Sequence, residues 1–331
     1  MKILLIIPGH LKTVPMNRFT EKALIDLGHS VHVESYHPNL IEKILGKISV
    51  KLNQKEAHFF TNLRIRKKIK QFSPSLLFTI YGFDLSEKTL SFARTCSVKT
   101  ACWWINDPFQ FDRGLSIAKN YDVWFSNSAE SANQMKRLIG IKSYFLPTAC
   151  EPSVHSPAKF DNSIACDICF AGDWSKEREN LMLFLLNSGF KIHIYGPWEK
   201  KIPKDSRLHS FLTSGFFTPE QMADYFSSSK IVLNYHTWYG KFSHGVNPRL
   251  FEAAGCRTVQ VTDYKEEMST LFDLESELIT YKSIDELPYL LNKLLEDDVK
   301  RNQLASSSYK RAIKDHTYLV RMQQMLDLVF K

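Results

Sequence analysis

The residues with the clearest chemical potential lie in one run, Tyr235-His-Thr-Trp-Tyr-Gly-Lys-Phe-Ser-His-Gly-Val-Asn-Pro-Arg-Leu-Phe-Glu-Ala-Ala-Gly255. It leaves a strand-like apolar pattern and enters a helical one. Asn247 fits an N-cap and Pro248 the first helical position, which puts Arg249 in the first turn. Open N–H groups at a helix start, with an arginine beside them, make a seat for a diphosphate. Glu252 follows three residues later on the same face and can accept hydrogen bonds from ribose hydroxyls. The same residues also describe an ordinary helix packed on a sheet with a surface Arg–Glu pair, and residue chemistry alone leaves both readings open. Trp238 and Tyr239 stand on the loop before this helix, where aromatic rings are expected to meet a sugar or a base. His236 reads as a structural histidine at a strand end.

Several chemistries are disfavoured by what is missing. No Gly-x-Gly-x-x-Gly follows a first strand and no Gly-x4-Gly-Lys-Ser/Thr occurs, which weakens nicotinamide enzymes and P-loop NTPases. There is no Gly-x-Ser-x-Gly elbow and no zincin motif. The six cysteines are expected to be reduced thiols, and no second Cys/His pair completes Cys166 and Cys169 as a metal site.

Elements must position these residues, and at 331 residues two domains are the default. Short apolar strands alternate with helices: strands over 2–8, 30–36, 76–81, 99–105, 123–126 and 144–146, with helices over 16–27 and 86–94 among them. Such alternation predicts βαβ units and a parallel sheet. Residues 147–160 hold Pro147, Pro152 and Pro157 without helical period and read as a linker. The pattern restarts with strands over 167–171, 191–195, 231–235 and 258–262, and helices over 177–187, 219–227, 248–254, 284–295, 299–314 and 317–330. The expectation is an α/β chain of two doubly wound, Rossmann-like domains, 1–155 and 156–315, plus a last helix in 316–331. Ligands of such sheets bind beyond the carboxyl ends of the strands, here in a cleft between the two domains.

Charge is uneven. The whole chain carries 43 Lys and Arg against 35 Asp and Glu; residues 1–158 hold 21 against 12, and residues 159–331 hold 22 against 23. The basic run Arg64-Ile-Arg-Lys-Lys-Ile-Lys70 lies in a helical pattern, read first as a solvated face and secondly as a peripheral membrane contact. No nucleic-acid motif accompanies it, so nucleic acid is not an expected partner. No apolar run approaches a spanning helix, and residues 3–7 read as a strand rather than a leader. The expected location is cytoplasmic, with contact to the inner membrane face as an option.

Taken in order, several stretches resemble one family. Trp104-Ile-Asn-Asp-Pro108, Pro147-Thr-Ala-Cys-Glu-Pro152, Asp167-Ile-Cys-Phe-Ala-Gly172 followed by Arg178, Ile194-Tyr-Gly-Pro-Trp198, Lys230–His236, Asn247–Cys256 and His316-Thr-Tyr-Leu-Val-Arg321 together resemble the CgeB-type, spore-maturation-like glycosyltransferases. These are relatives of the group 1 enzymes of the GT-B fold. The resemblance implies a donor-binding C-terminal domain, an acceptor-binding N-terminal domain and a last helix that returns to the first domain. It implies that Glu252 holds the donor ribose and that Arg249, Arg178 and the backbone at Gly172 neutralise the diphosphate. Tyr195, Gly196 and the Gly215–Phe217 segment would lie near the base, with Tyr235, Gly245 and Asn247 completing the donor site. Related retaining enzymes carry Glu-x7-Glu; here His244 stands where the earlier Glu would be. The reaction implied is transfer from a nucleoside-diphosphate sugar, UDP being the expected nucleotide, with no cofactor and no metal. The acceptor is left as a polysaccharide, a protein or a lipid-linked molecule. Proton chemistry would fall to His244, Asp107 or His10. An epimerase or hydrolase of nucleotide sugars, or a non-catalytic binding protein, is the alternative on the same scaffold.

Overall fold

The structure is a computed structural model and describes residues 1–8, 16–51, 56, 58–83 and 85–331. The described chain divides into two compact units, one running up to Pro147 with Tyr318–Lys331 added, the other covering Thr148–Thr317.

The first unit is built from β1 (Lys2–Ile7), α1 (Met16–Asp26), β2 (Ser30–Ser35), α2 (Leu40–Lys51), α3 (Phe59–Phe72), β3 (Leu76–Ile80), α4 (Glu87–Thr95), β4 (Lys99–Trp104), α5 (Phe111–Ala118), β5 (Val123–Ser126), α6 (Ala129–Ile139) and β6 (Lys142–Phe145). Its sheet is wholly parallel, in the order β2-β1-β3-β4-β5-β6. Helices cover such a sheet on both faces, so its central strands are mostly apolar: Leu76–Ile80 is buried at every position, with Thr79 its one polar residue. Serines stop the local competition at helix starts, Ser86 and Ser128 each accepting the N–H three residues on.

The second unit holds β7 (Cys166–Ala171), α7 (Lys176–Asn187), β8 (Ile192–Gly196), β9 (Leu212–Ser214), α8 (Pro219–Ser227), β10 (Ser229–Asn234), α9 (Arg249–Gly255), β11 (Val259–Asp263), α10 (Met268–Leu271), β12 (Ile279–Tyr281), α11 (Leu287–Glu296) and α12 (Asp298–Asp315). Its parallel order is β12-β11-β10-β7-β8-β9. Thr218 caps α8 with a full capping box to Gln221 and Pro219 in the first turn. The final helix, α13 (Tyr318–Val329), lies with the first unit: Tyr318 packs on Phe19 of α1 at 5.3 Å, and Arg321 Nε donates to the Pro147 carbonyl at 3.1 Å. Both units are therefore Rossmann-like α/β layers, as the strand–helix alternation predicts. The edge strands β9 and β12 are three residues each, too short to show a period, and the sequence reading had no strand there.

The basic run on α3 is largely committed within its own unit. Arg64 pairs with Glu34 and, at 2.7 Å, with Glu42; Arg66 pairs with Glu56 at 2.6 Å; Lys68 lies 3.9 Å from Glu34. Lys67 and Lys70 are the exposed members. No helix among the described residues is long and apolar enough to cross a membrane.

Candidate active site

In an open parallel sheet a crevice forms where the strand order reverses, outside the carboxyl ends of the two strands concerned. In the second unit that point lies between β7 and β10. Arg178 occupies it. The helix carrying it is started by Ser175, whose hydroxyl accepts the Arg178 N–H, and the guanidinium then reaches both strand ends: Nη1 donates to the Asp173 carbonyl and Nη2 to the Tyr235 carbonyl, each at 2.8 Å. The side chain is buried, rests over the Phe170 ring and keeps a buried Nε without a partner. No carboxylate among the described residues pairs with it. Burial pulls the guanidinium down to about 10, with the positive charge of Arg249 adding to this and Asp173 opposing it. It stays charged at neutral pH, a buried cation whose neighbours are carbonyl oxygens.

Gly172 and Gly196 line the same end of the sheet. The Gly172 N–H donates to the Tyr195 carbonyl at 3.0 Å and its carbonyl accepts the Trp198 indole at 2.8 Å. A Cβ on Gly196 would lie 2.2 Å from the Gly172 carbonyl oxygen, so only glycine permits this approach of β8 to β7. The rings of Tyr195 and Phe217 turn the other way, into the apolar layer under α8: Tyr195 stacks on Tyr225 at 3.6 Å, and Phe217 meets Tyr225 edge-on. The Tyr235 ring is likewise buried, against Tyr239 at 4.9 Å, and it is the carbonyl of Tyr235 that serves Arg178.

Arg249 opens α9. Its Nη1 donates to Glu252 Oε2 at 2.7 Å, one turn on, and contacts the Met222 sulfur, while the guanidinium lies over the Phe226 ring. Glu252 is buried, and burial raises its carboxyl above the usual range against the pull of Arg249. The Arg–Glu pair is thus internal, not a surface pair. Asn247 does not cap with its side chain; its amide pairs with that of Asn234 at 2.8 and 3.0 Å, and Pro248 takes the cap position.

The loop from β10 to α9 is held by its own side chains. Trp238 is buried and donates to the His244 carbonyl at 3.0 Å, and the Tyr239 hydroxyl donates to the Lys282 carbonyl at 3.1 Å. Both rings brace the loop; for Trp238, which is buried, this corrects the expected exposure to a sugar or base, while Tyr239 stays partly exposed. His244 is half-buried with its ring edge-on to Phe242 at 5.7 Å. The Gly245 N–H is taken by Glu267 and the Asn247 N–H by His236. His236 is fully buried, as a structural strand-end histidine should be.

In the first unit Asp107 follows β4 through a cis peptide to Pro108. It is fully buried; Ser126 donates to Oδ2 at 2.5 Å, and the Asn127 amide pairs with its backbone at 2.8 and 3.0 Å. Burial pushes its carboxyl up to about 7, with Ser126 and the nearby Trp104 indole opposing; Oδ1 and the Trp104 indole nitrogen nonetheless make no well-formed hydrogen bond. Trp103 and Trp104 are both fully buried. His10 lies outside the described residues. Sequence reasoning passed over Asp263, which ends β11, and Lys265 and Glu267, which follow it; all three are buried against the 236–247 loop. The available signal was an aspartate directly ending an apolar parallel strand, where ligand and loop contacts concentrate.

Residues 178–327 match a family model described as "Glycosyl transferase-like". No curated protein matches the chain. Among solved structures, sucrose-phosphate synthase from Thermosynechococcus elongatus aligns with a TM-score of 0.69 at 12% identity over 99% of this chain and 98% of its own. HepE of Anabaena in complex with UDP and glucose gives 0.64 at 13% over 100% and 99%. The lipopolysaccharide outer core galactosyltransferase WaaB gives 0.63 at 13% over 100% and 99%. At these identities the likeness is one of fold. Arg178, Arg249 and Glu252 all fall inside the matched segment, so the second half of the chain carries a glycosyl-transferase-like sequence on a GT-B fold.

Proposed function

We propose that the chain is a glycosyltransferase, in the CgeB-type branch, moving a hexosyl group from a UDP-sugar to a hydroxyl-bearing acceptor without a metal. The observation that carries this is Arg178: a buried cation with no carboxylate partner among the described residues, at the strand-order reversal of a unit whose sequence is glycosyl-transferase-like. A desolvated guanidinium of that kind is stabilised by an incoming anion, and the anion that glycosyl transfer supplies is a nucleoside diphosphate.

Breaking the sugar–phosphate bond moves electrons onto the leaving diphosphate while the sugar becomes oxocarbenium-like. Fixed cationic groups aimed at that growing charge need no reorganisation as it develops. Arg178 and Arg249 supply them, and Glu252, held by Arg249, accepts from the ribose. The close backbones of Gly172 and Gly196 leave room for the nucleotide at the strand ends. Of the two described candidates for proton chemistry, His244 is partly exposed and Asp107 is sealed. His244 therefore meets the sugar or the leaving phosphate, and Asp107 acts in the turn that ends β4.

The test is donor consumption from a panel of UDP-, GDP- and ADP-sugars, with EDTA present, for wild type, Arg249→Ala and Glu252→Ala. One nucleotide should be preferred, and each variant should lose ~10²-fold or more in turnover, the usual loss when a charge-stabilising group is removed. Unchanged turnover in both variants would overturn the site; a free sugar or an epimer as sole product with every acceptor would replace transfer by hydrolysis or epimerisation.

A further inference from the structure

The five residues from Asp263 to Glu267 join β11 to α10 and grip the loop that runs from β10 to α9. Asp263 Oδ1 accepts the His236 backbone N–H at 2.8 Å and is 2.7 Å from its ring Nδ1. The Asn247 N–H donates to the other ring nitrogen, Nε2, at 3.1 Å. That network assigns the ring as the tautomer with its proton on Nδ1, so the carboxylate is relayed across the ring to the far end of the loop. Lys265 lies 3.0 Å from Asp263 Oδ2 and donates to the Phe242 carbonyl at 2.8 Å. Glu266 exchanges two bonds with Ser243, N–H to carbonyl at 2.9 Å and hydroxyl to carboxylate at 2.5 Å. Glu267 accepts the Gly245 N–H on both oxygens, at 3.0 and 2.9 Å.

The loop backbone is thereby fixed at residues 236, 242, 243, 245 and 247, on both sides of His244. Asp263, Lys265 and Glu267 are 1, 2 and 5% exposed. Burying charges costs desolvation that a hydrophobic packing of the same loop would avoid. What the charges supply is geometry, since each bond names one backbone atom and one direction.

We propose that Asp263, Lys265 and Glu267 are positioning residues, which act on the reaction by presetting the loop that presents His244, with His236 as the relay from Asp263. This rests on the transferase reading above.

The decisive experiment combines two readouts on Glu267→Ala, Glu267→Gln, His244→Ala and the Glu267→Ala/His244→Ala double variant. In steady-state donor hydrolysis, Glu267→Ala should lower kcat ~10–100-fold with KM little changed, the scale of an ångström-sized misplacement. Glu267→Gln, which keeps an acceptor for the Gly245 N–H, should recover most of the loss. The double variant should be no slower than His244→Ala, because Glu267 acts through the residue already removed. Losses that multiply in the double variant, or a wild-type kcat in Glu267→Ala, would overturn the proposal. In hydrogen exchange without any donor, amides of residues 243–247 should be protected in wild type and exposed in Glu267→Ala while the sheet stays protected; equal protection in the two would also overturn it. If wild type consumes no nucleotide sugar, the transferase reading fails, and the exchange result still decides whether the clamp exists.

Discussion

Two buried aspartates stand at the carboxyl ends of parallel strands, Asp107 just beyond β4 in the first unit and Asp263 at the end of β11 in the second. Burial drives both toward the neutral form. Around Asp107 the opposing groups are a serine hydroxyl and an indole, and its carboxyl rises from 3.8 to about 7. Around Asp263 they are His236, Lys265 and a backbone N–H, which overcome burial and bring it down from 3.8 to about 2. The difference shows that solvent exclusion does not determine the charge of a buried carboxylate; the cations and N–H groups arranged around it do. One unit keeps a carboxyl that can hold its proton near neutrality, the other a permanent anion that organises a loop.

The contrast can be broken most strongly at Asp263. Asp263→Asn removes the counter-charge of buried Lys265, and the loss of one partner of a buried pair typically costs ~3–5 kcal/mol. Urea unfolding should show a loss of that size, and adding Lys265→Met should restore a good part of it. An Asp263→Asn protein as stable as wild type would mean that the pair is not a folded-state anchor.

Asp107 should give a smaller effect of opposite sign. A carboxyl raised in the folded state contributes stability that is present below 3.8 and lost as the pH climbs toward about 7. Asp263, being depressed, contributes stability that is present above 3.8 and lost as the pH falls toward about 2. Asp107→Asn should therefore gain about 2.5 kcal/mol over wild type between pH 5 and pH 8, at about 1.4 kcal/mol for each of the roughly two pH units below its folded-state value of about 7. Unfolding free energies of the two proteins across that range check it, and parallel pH profiles would contradict it.

The fold was legible because both sheets are parallel and buried on both faces, so their strands are short apolar runs: the strand read at 123–126 is Val123–Ser126 in the structure, and that read at 167–171 is Cys166–Ala171. Arg249 and Glu252 were legible as an i, i+3 pair at a helix start. The orientation of side chains was not. Tyr195 lies at the expected strand end and Phe217 in the segment after β9, but both turn their rings into the core against Tyr225 on α8, a packing choice that no local pattern in either segment announces. The clamp was invisible for a different reason. Thr262-Asp-Tyr-Lys-Glu-Glu267 has the composition of a solvated turn, and Asp263, Lys265 and Glu267 are buried only because the loop over 236–247 folds onto them.

The central claim is that Arg178 marks the seat of a nucleoside diphosphate. Calorimetric titration of UDP, in EDTA, into wild type and Arg178→Met tests it most directly. Wild type should bind, and the variant should bind at least tenfold more weakly, a loss of about 1.4 kcal/mol or more, with its unfolding transition still cooperative. UDP affinity equal in the two proteins, or no binding of any nucleoside diphosphate by wild type, would contradict the account.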